Sequence, residues 1–225
     1  MNEKYREVFN PEYFRDRVGN DIKRQKSFLS EKEFINKYIC SGKLLDVGCS
    51  TGEFLDVLKW NGETYGMEIS EFAKSIATEK GIRFDKDLFN SKNFFDLIVF
   101  RGTIQHIDTP FLYMKKTFEA LKPGGFVVFL MTPNTNSLYF KLWNSLPLLI
   151  PEQNFYLPSD NSLKQAMENF GFSFKEIRYP YLDSAYSNPV KDHFCFLKKL
   201  FTGRGKFAFW NNSMDLIFQK PAESN

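Results

Sequence analysis

The spacing of apolar residues along this chain of 225 residues changes near residue 43. Over residues 1–42, apolar side chains recur three and four positions apart, which predicts two helices that form an N-terminal cap. From residue 43 onward, short apolar runs alternate with amphipathic stretches. The runs predict strands at 43–48, 63–68, 82–85, 94–100 and 126–131, and the stretches predict helices at 52–60, 70–79 and 110–121. Such alternation favours an α/β fold with a doubly wound, mostly parallel sheet.

The pattern loosens after residue 131. Residues 132–158 contain several prolines among aromatic side chains and are predicted to form a loop or lid. The remaining predicted elements are a helix at 162–170, strands at 173–179 and 214–219, and an insertion at 182–213. We therefore expect one domain over residues 1–225. Its sheet should have seven strands, with an antiparallel strand near the C-terminal edge.

The run from Leu44 to Phe54, LLDVGCSTGEF, carries the clearest chemical signal. An apolar strand enters a loop of small residues, and a helix follows directly. Small side chains let the backbone approach a ligand closely, and the first amides of a helix bind polar or anionic groups. A second carboxylate, Glu68, follows Asp46 by about 20 positions, the spacing at which open α/β folds bind ribose hydroxyls. These features predict a nucleoside-containing ligand.

Two other chemistries use a similar loop. Nicotinamide dinucleotide enzymes carry GxGxxG, whereas this chain has Gly48 and Gly52 with Ser50 between them. The run GCSTG also matches the GxSxG elbow of hydrolases. That elbow needs an acid and a histidine later in the chain, where His106 and His193 are the only histidines. Neither pattern is complete.

Residues 43–134 as a whole resemble class I S-adenosylmethionine-dependent methyltransferases. LLDVGCSTGEF resembles their first motif, although Ser50 stands where glycine is usual. YGMEIS resembles the second motif and KDLF the adenine-binding segment. FFDLIVFRGTIQHI and LKPGGFVVFLMTPN resemble the segments at the fourth and fifth strands. The resemblance implies a Rossmann-like methyltransferase fold, S-adenosylmethionine as cofactor, S-adenosylhomocysteine as product, and a cofactor-binding core over residues 43–134.

The resemblance also implies roles for individual residues. Glu68 would accept hydrogen bonds from the ribose hydroxyls, and Asp46 would accept one from the ammonium group of the methionine part. Asp87 would accept a hydrogen bond from the adenine amino group, and Asp85 is the alternative candidate for this contact. Arg24 would bind the methionine carboxylate. The candidate cofactor-binding residues are Asp46, Gly48, Cys49, Ser50, Gly52, Phe54, Glu68, Ile69, Asp87, Leu88, Arg101 and Arg24.

His106 is the candidate catalytic residue. It follows the fourth predicted strand, near the place where the transferred methyl group should point. An imidazole can take a proton from a hydroxyl nucleophile, but it can equally order its own loop, and both interpretations remain open. Two interpretations also remain open for Tyr13 and Phe14: contact with the sulfonium of the cofactor, or packing in the core.

The acceptor is predicted from a narrower resemblance. Residues from Pro133 onward resemble a subgroup that methylates ubiquinone precursors and saccharides, in which His is frequent at the position of Gln153. We expect O-methylation of a small molecule or saccharide, with residues 135–158 and 182–213 facing the acceptor. The alternatives are a nicotinamide-dependent oxidoreductase, and a cofactor-binding protein without transfer activity that uses the basic, aromatic residues 198–210 at a membrane.

Composition and charge bear on the partners, the metal content and the cellular location of the protein. The net charge of +3 and the pI near 8.6 are too small to predict a nucleic-acid partner. Three scattered cysteines without CxxC spacing predict neither disulfides nor a metal site, and they favour a cytoplasmic location. The N-terminus lacks the apolar region of a signal peptide, and the longest apolar runs are too short for an integral membrane segment.

Overall fold

The computed structural model describes residues 22–147 and 149–222. Its centre is a six-stranded sheet in the order β2-β1-β3-β4-β6-β5. The strands are β1 Leu44–Val47, β2 Thr64–Met67, β3 Phe95–Arg101, β4 Leu121–Pro133, β5 Ser173–Arg178 and β6 Ser213–Gln219. The first four strands in the sheet order are parallel, and β6 is antiparallel to both of its neighbours. The predicted antiparallel strand is therefore present.

Among the described residues the sheet has six strands, so the predicted seventh strand is not confirmed. Residues 82–85 reach the edge of the sheet but make only one parallel bridge, between Tyr65 and Arg83. Arg83 donates its amide to the Thr64 carbonyl, and Gly66 donates to the Arg83 carbonyl. A short segment beyond an edge strand has a partner on one side only, so its apolar residues pack without extending the ladder.

Helices cover both faces of the sheet. They are α1 Ile22–Asn36, α2 Glu53–Leu58, α3 Glu71–Glu79, α4 Pro110–Ala120, α5 Leu138–Trp143, α6 Asp160–Asn169 and α7 Pro189–Thr202. Two buried apolar clusters lie on opposite faces, one with Phe100 and Phe129 and the other with Phe34 and Leu55. Within the described residues, α1 is the part of the predicted N-terminal cap that can be placed, and it packs on α2.

Two segments, one predicted as a loop or lid and the other as an insertion, contain helices. α5 lies within residues 132–158, and the Ser137 hydroxyl caps it by accepting a hydrogen bond from the Phe140 amide. α7 lies within residues 182–213, with Asn188 as a side-chain cap and proline in its first turn. Across the described ranges, each helix is too short or too polar to cross a lipid bilayer.

This topology fixes where a ligand can bind. The chain runs from β1 outward to β2 and then returns to place β3 on the other side of β1. Strand order therefore reverses between β1 and β3, and a crevice opens beyond their carboxyl ends. The loop after β1, Glu68 after β2 and the segment after β3 all lie at this edge of the sheet.

Candidate active site

A cavity of about 340 Å³ occupies the crevice at the reversal point. Its volume is in the range of pockets that bind small ligands. All of the predicted site residues line it except Gly52 and Leu88. The Leu88 side chain is fully buried in the core, and Gly52 packs against Ile82. Neither residue lines the cavity, and their predicted roles in cofactor binding stay predictions.

The loop after β1 has an unusual backbone that brings it close to β3. Gly48, Ser50 and Gly52 all have positive φ angles, of 80°, 53° and 76°. A Cβ atom at Gly48 would lie 2.6 Å from the Thr103 hydroxyl oxygen, so a larger residue does not fit there. Ser50, by contrast, adopts a left-handed conformation that costs a non-glycine residue some strain.

Glu68 ties the ends of β1 and β2 together. One carboxylate oxygen accepts hydrogen bonds from the amides of Ile69 and Ser70, at 2.7 and 2.9 Å. The other accepts from the Ser50 amide at 3.0 Å. A carboxylate has about four acceptor positions, so Glu68 keeps capacity for a ligand while it orders the loop. The sequence predicted the ligand contact but not the tether to Ser50.

Asp46 is a buried carboxylate that lacks a full set of partners. Its side chain is 2% exposed, and Oδ1 has no hydrogen-bond partner among the described residues. Burial raises the pKa of Asp46 to about 7; the nearby Arg101 guanidinium opposes this shift, and the charges of Glu68 and Glu31 add to it. A buried acceptor in this state would be stabilised by a cationic donor.

Arg101 is held by a partner that the sequence analysis did not find. Its Nε and Nη2 atoms donate to the two carboxylate oxygens of Glu31, at 2.6 and 3.0 Å. The guanidinium also lies over the ring of Phe28, 4.4 Å from the centroid. Arg101 and Phe28 line the cavity, whereas Glu31 is buried on α1 behind them. The pair therefore fixes α1 against the end of β3.

Asp87 and Asp85 take different positions. Asp87 lines the cavity, and one of its oxygens accepts hydrogen bonds from the amides of Phe89 and Asn90. Asp85 instead pairs with Arg83, whose hydrogen bond lowers the pKa of Asp85. The placement favours Asp87 as the residue that faces a ligand.

His106 lies at the end of a 3₁₀ turn, Ile104–His106, and lines the cavity. Its Nδ1 atom is 2.7 Å from the carbonyl oxygen of Gln153. A carbonyl can only accept, so Nδ1 carries the proton in a neutral ring and Nε2 carries the lone pair. The Gln105 amide nitrogen lies 3.4 Å from Nε2, a long contact. The backbone carbonyl of Gln153 therefore fixes the orientation of the His106 ring.

Arg24 also lines the cavity, and it forms an ion pair with Glu53 at 3.4 Å. This position is compatible with the predicted contact to a carboxylate. Tyr13 and Phe14 lie outside the described residues. Within those residues, Phe28 is the aromatic side chain of the N-terminal segment that reaches the cavity.

The family described as "Methyltransferase domain" matches residues 14–176, which is most of the chain. The chain belongs to the S-adenosylmethionine-dependent methyltransferases. Phosphoethanolamine N-methyltransferase 1 of Arabidopsis thaliana is 30% identical over 160 residues, which cover 63% of this chain and 31% of that protein. The ubiquinone biosynthesis O-methyltransferase of Thiobacillus denitrificans is 29% identical over 112 residues, 44% of this chain and 48% of that protein. This methyltransferase chain thus spans about a third to a half of the length of these curated relatives.

Solved structures show the same fold. A methyltransferase of Thermotoga maritima, described as a possible histamine N-methyltransferase, superposes with a TM-score of 0.63 at 21% identity. The superposition covers 95% of this chain and 96% of that one. The predicted Rossmann-like methyltransferase fold is confirmed, with six strands in the part of the chain that the structure describes. Membership of this family decides against the nicotinamide-dependent alternative.

The cavity of this methyltransferase fits S-adenosylmethionine, the cofactor of its family. The orphaned Asp46 oxygen suits the ammonium group, and Gly48 lines the cavity without a side chain. Glu68 suits the ribose hydroxyls, Asp87 the adenine amino group and Arg24 the carboxylate. The individual contacts stay predictions, because the fit rests on the chemistry of the donors and acceptors that surround the cavity.

The ribose contact can be tested directly. Glu68→Ala should weaken S-adenosylhomocysteine binding about tenfold or more, because a hydrogen bond to a charged group contributes about 1.5–3 kcal/mol. Titration calorimetry measures the change. Glu68→Gln, which keeps one acceptor, should lose less, and Glu79→Ala on the exposed end of α3 should lose nothing. Unchanged affinity in Glu68→Ala would remove the ribose assignment.

Proposed function

We propose that this methyltransferase transfers a methyl group to a hydroxyl oxygen of a small organic acceptor or a saccharide. The observation that carries the proposal is the orientation of His106 in the cavity: Nδ1 is bound to the Gln153 carbonyl, and Nε2, the ring atom that would accept a proton, contacts the Gln105 side-chain amide at 3.4 Å. An alcohol is a weak nucleophile that gains from proton removal, whereas a neutral amine can attack without a base. A positioned base therefore favours an oxygen acceptor.

The chemistry divides between the cofactor and the chain. S-adenosylmethionine supplies an electrophilic methyl group on a sulfonium. In our proposal the protein aligns the acceptor oxygen with that methyl group, and His106 accepts the hydroxyl proton at Nε2. Alignment of two bound reactants is itself a large source of rate enhancement in such a displacement.

Residues 135–158 and 182–213 are proposed to face the acceptor. The Gln153 carbonyl belongs to the first segment and already touches His106. In the second segment, Tyr186 lies near enough to Arg101 to influence the pKa of its guanidinium. Both segments thus approach the cavity wall formed by the end of β3. We further propose that residues 1–225 act as one domain.

An acceptor panel separates oxygen from nitrogen methylation. Matched pairs, such as a phenol and the corresponding aniline, or a sugar and its amino sugar, are incubated with the protein and labelled S-adenosylmethionine, and the products are identified by mass spectrometry. We expect label on the hydroxyl members. Because one relative is named as an N-methyltransferase and another as an O-methyltransferase, label on the amines alone would overturn the choice of oxygen. Cofactor binding without any labelled product would favour a binding protein.

His106→Ala tests the proposed base. Loss of a general base costs about 100-fold or more in turnover, so kcat for a hydroxyl acceptor should fall by that factor while S-adenosylhomocysteine affinity stays the same. His193→Ala is the matched control, because His193 is exposed on α7 and does not line the cavity. Wild-type turnover in His106→Ala would assign the imidazole to ordering its loop.

A further inference from the structure

Helix α7 buries charged side chains and exposes large apolar ones. Its buried residues are Asp192 and Lys199, one acid and one base. Its most exposed apolar residues are Val190, Phe194 and Phe201, at 70%, 70% and 88% exposure. A surface helix normally turns its apolar face inward and its charges outward. α7 departs from this arrangement, because two of its charged side chains are buried while several of its apolar side chains are exposed.

The exposed apolar residues form a continuous stripe. Val190, Phe194, Leu197 and Phe201 are spaced by four, three and four positions. At 3.6 residues per turn, these positions fall within a sector about 60° wide. Leu197 is 54% exposed, and Leu200 beside the stripe is 48% exposed. Contiguous exposed apolar surface of this kind marks interaction sites in folded proteins.

The inner face of α7 is firmly packed, so the stripe is not the result of a loosely attached helix. The Lys199 ammonium donates to the Tyr139 hydroxyl at 2.8 Å and to the Gly205 carbonyl at 2.9 Å. The Phe196 ring stacks on Phe209, with centroids 4.6 Å apart. Asp192 accepts a hydrogen bond from the buried Tyr181 hydroxyl at 2.9 Å. These contacts fix the rotation of the helix and hold the stripe outward.

The charges beside the stripe have one sign. Lys191, Lys198, Arg204 and Lys206 are exposed within the described segment 189–210. The single acid of that segment, Asp192, is buried. Lys191 and Lys198 are seven positions apart and therefore lie on the same flank of the helix. An apolar stripe with a cationic flank complements a surface that is apolar inside and anionic at its edge.

We propose that α7 and the following residues 203–210 dock on an anionic lipid bilayer. The stripe enters the headgroup region with the helix axis parallel to the membrane plane, and the four cations face lipid phosphates. A helix of this length is too short to span a bilayer but suits an interfacial position. Long basic side chains can extend from the apolar boundary to the phosphates. The proposal concerns a surface apart from the cofactor cavity and does not depend on the acceptor.

Vesicle co-sedimentation tests the proposal. The full chain is mixed with vesicles of phosphatidylcholine alone, or of phosphatidylcholine and phosphatidylglycerol in equal parts. We expect binding to the mixed vesicles that weakens as salt is added, and much less binding to the neutral vesicles. Absence of binding to the mixed vesicles, or equal binding to both, would overturn the proposal.

Paired variants locate the binding surface. Leu197→Ser with Phe201→Ser should lower the vesicle partition coefficient about tenfold or more, since both side chains lose apolar contact. Lys198→Glu with Lys206→Glu should lower it by a similar factor, through lost attraction to the anionic lipid. The controls are Leu112→Ser and Lys115→Glu on α4, which exposes an apolar and a basic side chain elsewhere. The controls should bind as the wild type does.

Two further measurements test for misfolded variants and for self-association of the chain. Circular dichroism and thermal melting should show that all variants fold like the wild type, which is expected because the changed side chains are exposed. Light scattering after gel filtration reports self-association. If the wild-type chain is a dimer that Leu197→Ser with Phe201→Ser converts to a monomer, the stripe is an interface between copies and the lipid proposal is wrong. Vesicle binding that is unchanged in these variants would also contradict it.

Discussion

Replacing Glu31 with alanine is expected to lower the free energy of unfolding by about 3–5 kcal/mol, the cost of leaving a buried charge without its partner. Glu31 is 1% exposed and accepts two hydrogen bonds from the Arg101 guanidinium. Without that carboxylate, Arg101 keeps its contact with the Phe28 ring but loses its charged partner. For a chain of this size, the change corresponds to a fall in Tm of roughly 10 °C. Thermal and urea unfolding measure it.

Two variants show whether the lost charge pair is the cause. Glu33→Ala removes an exposed carboxylate from the same helix and should change stability by less than about 0.5 kcal/mol. Glu31→Met combined with Arg101→Met replaces both charges with apolar groups and should recover much of the loss. If Glu31→Ala were as stable as Glu33→Ala, the pair would not hold α1 to β3.

The sequence predicted the elements whose identity depends on local pattern. The apolar runs at β1 and β3 are buried on both faces, and the small-residue loop between β1 and α2 has a fixed length, so both were found close to their observed bounds. Residues 82–85 have the same local appearance as a strand. Whether they join the ladder depends on a neighbour beyond the sheet edge, and periodicity does not carry that information.

Long-range pairs account for what sequence reasoning missed in the site. Glu31 and Arg101 are 70 positions apart, and no spacing rule joins them. The contact between Gly48 and Thr103 depends on the approach of two loops that follow adjacent strands. α7 was missed for another reason. Two of its charged residues, Asp192 and Lys199, are buried, and a row of its apolar residues is exposed, so the usual rule for amphipathic helices does not describe it.

Asp46→Asn is expected to stabilise the protein while it weakens cofactor binding. The pKa of Asp46 is raised to about 7 in the fold, against 3.8 for an ordinary aspartate. Between these values the folded chain holds a proton that the unfolded chain has released. Wild-type stability from this group is therefore fully present below pH about 4, is lost as pH rises, and levels off above about 7. Asparagine cannot ionise, so the variant lacks this loss.

The gain of Asp46→Asn over the wild type should accordingly grow from pH 4 to pH 7. We expect a gain of about 2 kcal/mol at neutral pH, below the about 4 kcal/mol that a three-unit shift implies, because the asparagine amide is itself buried. Asp215, whose pKa burial also raises, is present in both proteins, so the difference between their melting curves isolates Asp46. Asp56→Asn, an exposed change on α2, should show no such trend.

Asp46→Asn should lower cofactor affinity although it raises stability. This loss distinguishes a carboxylate that binds the cofactor from one that is only destabilised by burial. The ammonium of S-adenosylhomocysteine interacts best with ionised Asp46, so wild-type affinity should rise as pH increases through about 7. In Asp46→Asn the affinity should be about tenfold lower at pH 8 and nearly independent of pH, because only a neutral hydrogen bond remains. Calorimetric titrations at several pH values measure both quantities. A variant that is more stable yet binds the cofactor as tightly as the wild type would show that Asp46 does not bind the ammonium group. The ammonium would then be bound by other groups of the cavity.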